Sequence, residues 1–319
     1  MQTMNSRETA RFLAAHDNFC ILTHRRPDGD TVGSAAALCL GLRAMGKTAA
    51  VLENPDMTPK FAPYLEGLTC AALPAGAVPV CVDVAAPNML PDTFRHLVGS
   101  IAFRIDHHGG DRSFTDMELV DPEAGACGEL IYDVLMELGV ALTPAMGEAL
   151  YVAVSTDTGC FRYANTTAHT FRVAAACAES GANLFEVNLI MFETQRLQKL
   201  RLQGWMVEHT RFLAGGKLAI CPIPGEIEDE IGVNEDDMDN ISGFPRSISG
   251  VCMSATLRRA KEGGTKISVR AVPGYDAGAI CALFGGGGHK GAAGAVTNLS
   301  MEETADKLAE IMLAAEENR

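Results

Sequence analysis

The alternation of short apolar runs with helical segments is the feature that most constrains the fold of this chain. Apolar runs with strand character occupy residues 19–23, 49–52, 78–82 and 101–105. Helical patterns lie between or after them, at residues 31–45, 128–138, 147–155 and 167–180. Strands that alternate with helices predict an α/β fold whose N-terminal, mostly parallel sheet is flanked by helices.

The second half of the chain has a different pattern, and 319 residues are enough for two domains. Residues 184–208 predict one long helix, residues 211–223 a hairpin around Gly215 and Gly216, and later apolar runs two strands at 253–258 and 266–272. Residues 225–240 hold eight carboxylates and no Lys or Arg, which predicts a solvated helix face. We therefore expect a first domain at 1–190, a helical linker at 191–209 and a smaller α/β domain at 210–319.

Composition limits the classes of partner. The formal net charge of -14 argues against tight binding of long duplex nucleic acid, which needs many cationic side chains, but allows a small phosphate substrate. The ten cysteines form no CxxC pair and lie mostly in apolar runs, so we expect buried thiols in a reducing compartment. The sequence predicts neither a signal peptide nor a membrane span, which favours a cytoplasmic protein without a membrane partner.

Acidic and histidine side chains follow three of the predicted strands. They are His24, Asp28 and Asp30 after the first run, Asp83 after the third, and Asp106, His107 and His108 after the fourth. Each has an ordinary explanation when taken alone; Asp30, for example, precedes a helix and could be its N-cap. The carboxyl ends of parallel strands share one edge of a sheet, however, so we expect these side chains to meet there, together with Asp157.

Carboxylates gathered at one place repel one another unless cations are present, so the pattern favours a metal site. Imidazole and carboxylate ligands suit Mn²⁺, leave Zn²⁺, Fe²⁺ and Co²⁺ open, and fit a pure Mg²⁺ site less well.

Five segments together resemble a known family. The sequence THRRPDGD at 23–30, Asp83, RIDHH at 104–108 and DTG at 157–159 are similar to the four motifs of the DHH phosphoesterases. The sequence GGGGHKGAAG at 285–294 resembles the glycine-rich signature of the DHH-associated C-terminal domain. The size and order of the segments are most similar to the group of oligoribonucleases (nanoRNases) that also act as 3′-phosphoadenosine-5′-phosphate phosphatases.

The resemblance implies a site for two divalent ions, typically Mn²⁺. The first ion would be held by His24 and Asp28, the second by Asp30, His107 and Asp157, with Asp83 bridging both. His108 would face the substrate phosphate, and Asp106 would orient a histidine ligand. Two such ions lower the pKa of a shared water and thereby give a hydroxide that attacks phosphorus.

In the second domain the resemblance implies a substrate site formed by Arg270, Gly286, Gly287, Gly288 and His289. Backbone N–H groups of a glycine run can approach an anion closely, which agrees with this role. The chain departs from the family in one place, because Ala271 and Val272 stand where relatives often have a polar and a basic residue. Other candidates for phosphate contact are Arg246, Arg258, Arg259 and Lys266.

The sequence therefore predicts a metal-dependent phosphoesterase that hydrolyses short oligonucleotides, 3′-phosphoadenosine-5′-phosphate, or both. The rival predictions are a phosphodiesterase for cyclic or linear dinucleotides, a RecJ-like single-strand exonuclease, an inorganic pyrophosphatase and a non-catalytic nucleotide-binding module. Because relatives often dimerise, the resemblance also allows a homodimer.

Overall fold

The fold divides into two units, residues 1–194 and 195–319, each with its own hydrophobic core. A computed structural model describes residues 2–109, 114–234, 236–238, 240–260 and 263–317. Within the described residues, no helix is both long enough and apolar enough to cross a membrane.

The first unit is built on a seven-stranded sheet in which every neighbouring pair of strands is parallel. Its strands are β1 (Gln2–Thr3), β2 (Phe19–Leu22), β3 (Ala49–Leu52), β4 (Thr69–Cys70), β5 (Val78–Val82), β6 (Phe103–Asp106) and β7 (Met117–Val120). Their spatial order is β1-β7-β6-β5-β2-β3-β4. The predicted parallel sheet is confirmed, and the three strands followed by acidic and histidine residues, β2, β5 and β6, are direct neighbours.

Helices cover one face of this sheet. They are α1 (Ser6–Ala15), α2 (Gly29–Ala44), α3 (Cys127–Glu137), α4 (Pro144–Asp157), α5 (Ala168–Glu179) and α6 (Leu184–Asn188). Helix α2 is rich in Ala and Gly and almost entirely buried, which lets α4 pack closely against it. A Cβ atom added at Gly33 of α2 would lie 2.2 Å from the carbonyl oxygen of Ala149 in α4.

Short 3₁₀ helices cover the opposite face. They are Pro87–Met89 and Asp92–Ser100. A third 3₁₀ helix, Ala62–Leu65, instead packs against α2 on the helical face. Phe94 and Leu97 pack with Cys20 and Leu22, the β2 residues that alternate with Phe19 and Ile21 on the helical face. Both faces of the sheet are thus buried, which explains why its strands are continuous apolar runs.

The second unit contains a mixed six-stranded sheet. Its strands are β8 (Arg211–Leu213), β9 (Leu218–Ile223), β10 (Met253–Arg259), β11 (Thr265–Ala271), β12 (Gly287–Gly288) and β13 (Ala292–Thr297), in the order β12-β13-β11-β10-β9-β8. Its helices are α7 (Leu197–His209), α8 (Gly225–Ile231), α9 (Ala277–Ala282) and α10 (Met301–Glu317), with 3₁₀ turns at Ala214–Gly216, Asp236–Met238, Ile241–Gly243 and Pro245–Ser247. The predicted hairpin is confirmed, because β8 and β9 pair in antiparallel fashion.

Two predictions about this half are wrong. The long helix is interrupted, because a π-helical turn at Leu189–Glu193 leads to Thr194 and Arg196, whose backbones are extended, with ψ angles of 122° and 145°. The acidic stretch is not one solvated helix face, because α8 ends at Ile231 and Asp237 is buried. Asp237 accepts a hydrogen bond of 2.7 Å from Arg196, so this carboxylate is stabilised by an ion pair.

Candidate metal centre

Asp83 lies at the middle of the candidate site, directly after β5. Its backbone has φ 58°, a left-handed conformation that Asp adopts more readily than most residues but that still carries strain. The N–H of Asp83 donates to the carbonyl of Ile105 at 2.8 Å, which fixes this turn to β6. Strain of this kind is common at functional sites, where the surrounding contacts hold it in place.

The structure brings all the predicted metal-binding residues together. Three overlapping groups have ligand atoms within 4.8 Å of one another: His24, Asp28 and Asp83; Asp30, His107 and Asp157; and Asp83, His107 and His108. Asp83 belongs to two of these groups. Its Oδ2 lies 3.4 Å from His24 Nε2, and its Oδ1 lies 3.6 Å from His107 Nε2.

The two shared side chains contain buried polar atoms without a hydrogen bond. Asp83 Oδ1 and His107 Nε2 are both inaccessible to solvent and have no hydrogen-bond partner among the described residues. Burying such atoms unpaired is costly, and native proteins rarely do so. A divalent cation coordinated by a carboxylate oxygen and an imidazole nitrogen would satisfy both, so the residues present fit a metal ion.

Backbone carbonyls orient the two candidate histidine ligands. His24 Nδ1 lies 2.8 Å from the carbonyl oxygen of Arg25, and His107 Nδ1 lies 3.2 Å from that of Ala124. In each ring the Nδ1 contact leaves Nε2 directed at the carboxylates. This is the arrangement by which metal-binding histidines are usually fixed.

Asp28 and Asp30 both cap helices, although the predicted N-cap was wrong. The N-cap of α2 is Asp28, whose carboxylate accepts from the N–H groups of Asp30 and Thr31. Asp30 lies in the first turn of α2 and instead accepts from the N–H groups of Cys127 and Gly128, at 2.7 and 2.9 Å. It thereby caps the start of α3, a long-range contact that a local sequence pattern does not reveal.

Asp106 contacts His108, not the candidate ligand His107. Its Oδ1 lies 2.9 Å from His108 Nδ1 and also accepts the backbone N–H of His108 at 3.0 Å. Asp106 is fully buried, whereas 44% of the His108 side chain is exposed. Asp106 therefore orients the histidine that the resemblance assigns to the substrate.

The electrostatics of the cluster favour added positive charge. Burial and the carboxylate of Asp83 raise the pKa of Asp30 well above its usual value and that of Asp157 to about 6. Burial alone would lower the pKa of His24, but its interactions with Asp28 and Asp83 raise it to about 11. Carboxylates in this environment hold protons or attract cations more strongly than they do in water.

Two supporting residues were not predicted from the sequence. Arg104, buried in β6, donates to Glu118 Oε2 at 2.6 Å and to the carbonyl of Ala85 at 2.9 Å, which ties down the segment after Asp83. Asn165 donates to the carbonyl of Gly125 at 2.8 Å, and its amide nitrogen also lies 3.4 Å from Asp157 Oδ2. Arg104 stands between the apolar residues Phe103 and Ile105 of a predicted strand. A cation in such a position indicates a buried ion pair, so this pattern could have identified Arg104 as a supporting residue.

The predicted substrate residues lie together at one end of the second sheet. Arg270 of β11 is the register partner of Ala292, and Ala292 exchanges hydrogen bonds with His289 in the β12–β13 turn. In the glycine run, a Cβ at Gly286 would lie 2.2 Å from the carbonyl oxygen of Gly294, and Gly288 has φ 142°. Only glycine fits such a close approach and such a backbone angle.

Two of the other candidate phosphate contacts are already paired. Arg258 donates to Glu228 at 2.9 Å, and Arg259 lies 3.3 Å from Asp229. These ion pairs argue against a role for either arginine in substrate binding.

The chain is similar to known proteins along most of its length. A model described as "DHH family, N-terminal domain" matches residues 18–154, and one described as "DHHA1 domain" matches residues 215–317. The Thermus thermophilus protein named bifunctional oligoribonuclease and PAP phosphatase NrnA is 34% identical over 298 residues, 91% of this chain and 87% of that protein. The Bacillus subtilis protein of the same name is 25% identical, with 76% and 78% covered.

A solved structure shares the fold. The crystal structure of an exopolyphosphatase-related protein from Bacteroides fragilis matches with a TM-score of 0.82 at 24% identity, over 97% of this chain and 95% of that chain. The relative at 34% identity and the order of the two matched domains indicate the same family, and the shared fold agrees with it. The chain therefore belongs to the DHH family and carries a DHHA1 domain in its second unit.

Proposed function

We propose that this protein is a divalent-metal-dependent phosphoesterase that hydrolyses short oligoribonucleotides and 3′-phosphoadenosine-5′-phosphate. The observation that carries the proposal is the set of overlapping ligand groups around Asp83, with its unpaired buried oxygen. The similarity to proteins named oligoribonuclease and PAP phosphatase, over nine-tenths of the chain in one case, supports the substrate class.

The donor atoms suit two ions, for which we propose Mn²⁺. His24 and Asp28 would hold the first ion, Asp30, His107 and Asp157 the second, and Asp83 would contribute to both. A site of mixed imidazole and carboxylate ligands favours Mn²⁺ over Mg²⁺, which prefers oxygen ligands and retained water. When bound, such ions polarise phosphoryl oxygens and lower the pKa of water towards neutrality.

His108 is the residue that we propose for contact with the substrate phosphate. Hydrogen bonds with Asp106 and the nearby carboxylate of Asp83 raise the pKa of His108 to about 10, which favours the protonated ring. The Nδ1 contact with Asp106 leaves Nε2 to donate a hydrogen bond to a phosphate oxygen or a proton to the leaving group. Asp106 acts through His108 by holding its orientation.

We propose that the two domains divide the work, with catalysis in residues 1–190 and substrate recognition in residues 210–319 after a linker at 191–209. Arg270, His289 and the turn that contains Gly286, Gly287 and Gly288 would contact the part of the substrate that does not react. Their positions on adjoining strands β11, β12 and β13 support a shared role.

The experiment that tests the function is a comparison of substrates with the purified protein and Mn²⁺. We expect hydrolysis of di- and trinucleotides and of 3′-phosphoadenosine-5′-phosphate, with much slower turnover of pyrophosphate, cyclic dinucleotides and long single-stranded DNA. Hydrolysis restricted to cyclic dinucleotides, or to the linear dinucleotides formed when these are opened, with no turnover of trinucleotides or 3′-phosphoadenosine-5′-phosphate, would favour the phosphodiesterase alternative. Inactivity on every substrate with Mn²⁺, Co²⁺ and Mg²⁺ alike would refute the proposal.

A further inference from the structure

Arg25 and Arg26 are two exposed cations placed between the candidate ligands His24 and Asp28. Within the part of the chain that the structure describes, neither guanidinium has a hydrogen-bond or ion-pair partner. Many other arginines do, such as Arg258 and Arg259 in the second unit. This isolation is unexpected beside a cluster of carboxylates in a chain with a net charge of -14.

The backbone that carries these arginines is held firmly. The N–H of Arg25 donates to the carbonyl of Met89 at 2.6 Å, and its own carbonyl lies 2.8 Å from His24 Nδ1. The amide of Asn54 donates to the carbonyl of His24 at 2.8 Å, and Pro27 is buried. The two side chains therefore start from a fixed position next to the metal centre.

Arg26 has a backbone conformation that arginine seldom adopts. Its φ angle is 51°, in the left-handed region where glycine and asparagine are the common residues. Glycine would fit this turn without strain, yet the chain has a long cationic side chain there. A strained residue next to a functional site is a reason to look for a function of its side chain.

We propose that Arg25 and Arg26 bind a second phosphate of the substrate, the phosphodiester next to the one that is hydrolysed. The inference rests on the proposed function and names a subsite within it. A guanidinium matches the oxygens of a phosphate with two parallel hydrogen bonds and keeps its charge at any working pH. Consecutive phosphates of one strand are a single nucleotide apart, so residues adjacent to the metal ligands are well placed for the next phosphate.

The subsite predicts how the protein distinguishes substrate lengths. A dinucleotide without terminal phosphates has only the scissile phosphodiester, whereas a trinucleotide has one more. Contacts to that second phosphate lower the KM of the trinucleotide and leave the dinucleotide nearly unaffected. The two arginines therefore set a preference for trinucleotides over dinucleotides.

The test compares the RNA dinucleotide ApA with the trinucleotide ApApA in Arg25→Ala, Arg26→Gly and the double variant. For the double variant we expect kcat/KM on ApApA to fall about 10- to 100-fold, mainly through KM, because charge-assisted hydrogen bonds are lost. The loss on ApA is expected to be much smaller. Arg26→Gly also removes the left-handed strain, so its Tm is expected to equal or exceed that of the wild type.

Arg11→Ala is the matched control, because Arg11 is an exposed arginine of α1, the helix that leads into the opposite end of β2. This variant is expected to keep the wild-type ratio of kcat/KM on ApApA to kcat/KM on ApA. The inference is overturned if the double variant keeps the wild-type ratio of kcat/KM on ApApA to kcat/KM on ApA. It is also overturned if kcat/KM falls by the same factor on both substrates. Calorimetry with Ca²⁺ in place of Mn²⁺ measures the Kd of the same two oligonucleotides without any hydrolysis, and the ratio of these Kd values tests the subsite by itself. A wild type that binds ApApA more tightly than ApA but hydrolyses neither would refute the proposed function and leave the subsite standing.

Discussion

Asp30 and Asp157 are candidate ligands of the same ion, but the fold uses them differently. The Asp30 carboxylate accepts two backbone N–H groups at the start of α3 and the hydroxyl of Ser34. Asp157 accepts no backbone hydrogen bond among the described residues, and its carboxylate is approached by the amide of Asn165. One aspartate is therefore part of the framework, whereas the other is mainly part of the site.

This difference gives a prediction for the metal-free protein. Asp30→Ala is expected to lower the free energy of unfolding by about 1–3 kcal/mol, because two buried N–H groups lose their acceptor, and this outweighs the removal of a carboxylate whose pKa is also raised. Asp157→Ala is expected to leave it unchanged or to raise it, because a carboxylate with a raised pKa leaves a crowded cluster. Urea denaturation in the presence of a chelator measures both, and equal destabilisation by the two substitutions would contradict the assignment.

At the scale of elements, the site depends on the close packing of α2 against α4. Asp30 lies at the start of α2 and Asp157 at the end of α4, so the distance between these helices sets the distance between the two carboxylates. Gly33 is at the closest approach, where an added Cβ would lie 2.2 Å from the Ala149 carbonyl and 2.9 Å from the backbone nitrogen of Ala153. A backbone atom cannot move aside as a flexible side chain can.

Gly33→Ala is therefore expected to destabilise the first unit by about 1–3 kcal/mol, in spite of the higher helix propensity of alanine. It is also expected to weaken Mn²⁺ binding, because α2 and α4 must separate. Denaturant unfolding and metal titration measure the two effects. Gly99→Ala is the control, since a Cβ there meets no atom within 4 Å; wild-type stability in Gly33→Ala would show that the contact is unimportant.

A comparison of the predicted and observed strands and helices shows which features could be predicted from the sequence. The apolar runs of β2, β5 and β6 and the polar residues after them predict the gathering at one sheet edge, because that rule needs only strand direction. The break before α7 was not predicted, because neither Gly nor Pro marks it and apolar residues at helical spacing resume at Leu197 after the polar residues 193–196. The contacts of Asp30 with α3 and of Arg104 with Glu118 join residues distant in sequence, so no local pattern reveals them.

At the scale of the whole molecule, charge restricts the size of the substrate. A net charge of -14 repels long polyanions, and several arginines are already neutralised by ion pairs, such as Arg258 with Glu228. Short oligonucleotides escape most of this repulsion, because they carry few phosphates. Small phosphate esters are therefore the substrates that agree with the composition.

Long duplex DNA is accordingly expected not to inhibit hydrolysis of a trinucleotide at moderate salt, whereas a second trinucleotide competes. An initial-rate assay with increasing competitor measures this difference. Strong inhibition by duplex DNA that disappears at high salt would instead indicate an extended cationic surface. That result would contradict the argument from net charge.

The central claim, that metal ions held around Asp83 perform the hydrolysis, is tested most directly by metal titration of chelator-stripped protein. We expect the stripped wild type to be inactive on a trinucleotide and to recover as two equivalents of Mn²⁺ are added. Asp83→Asn is expected to remain about 100-fold or more below the wild type at every Mn²⁺ concentration, while Asp92→Asn, at an exposed aspartate of the same unit, behaves as the wild type. Full activity of the stripped protein, or of Asp83→Asn, would contradict the claim.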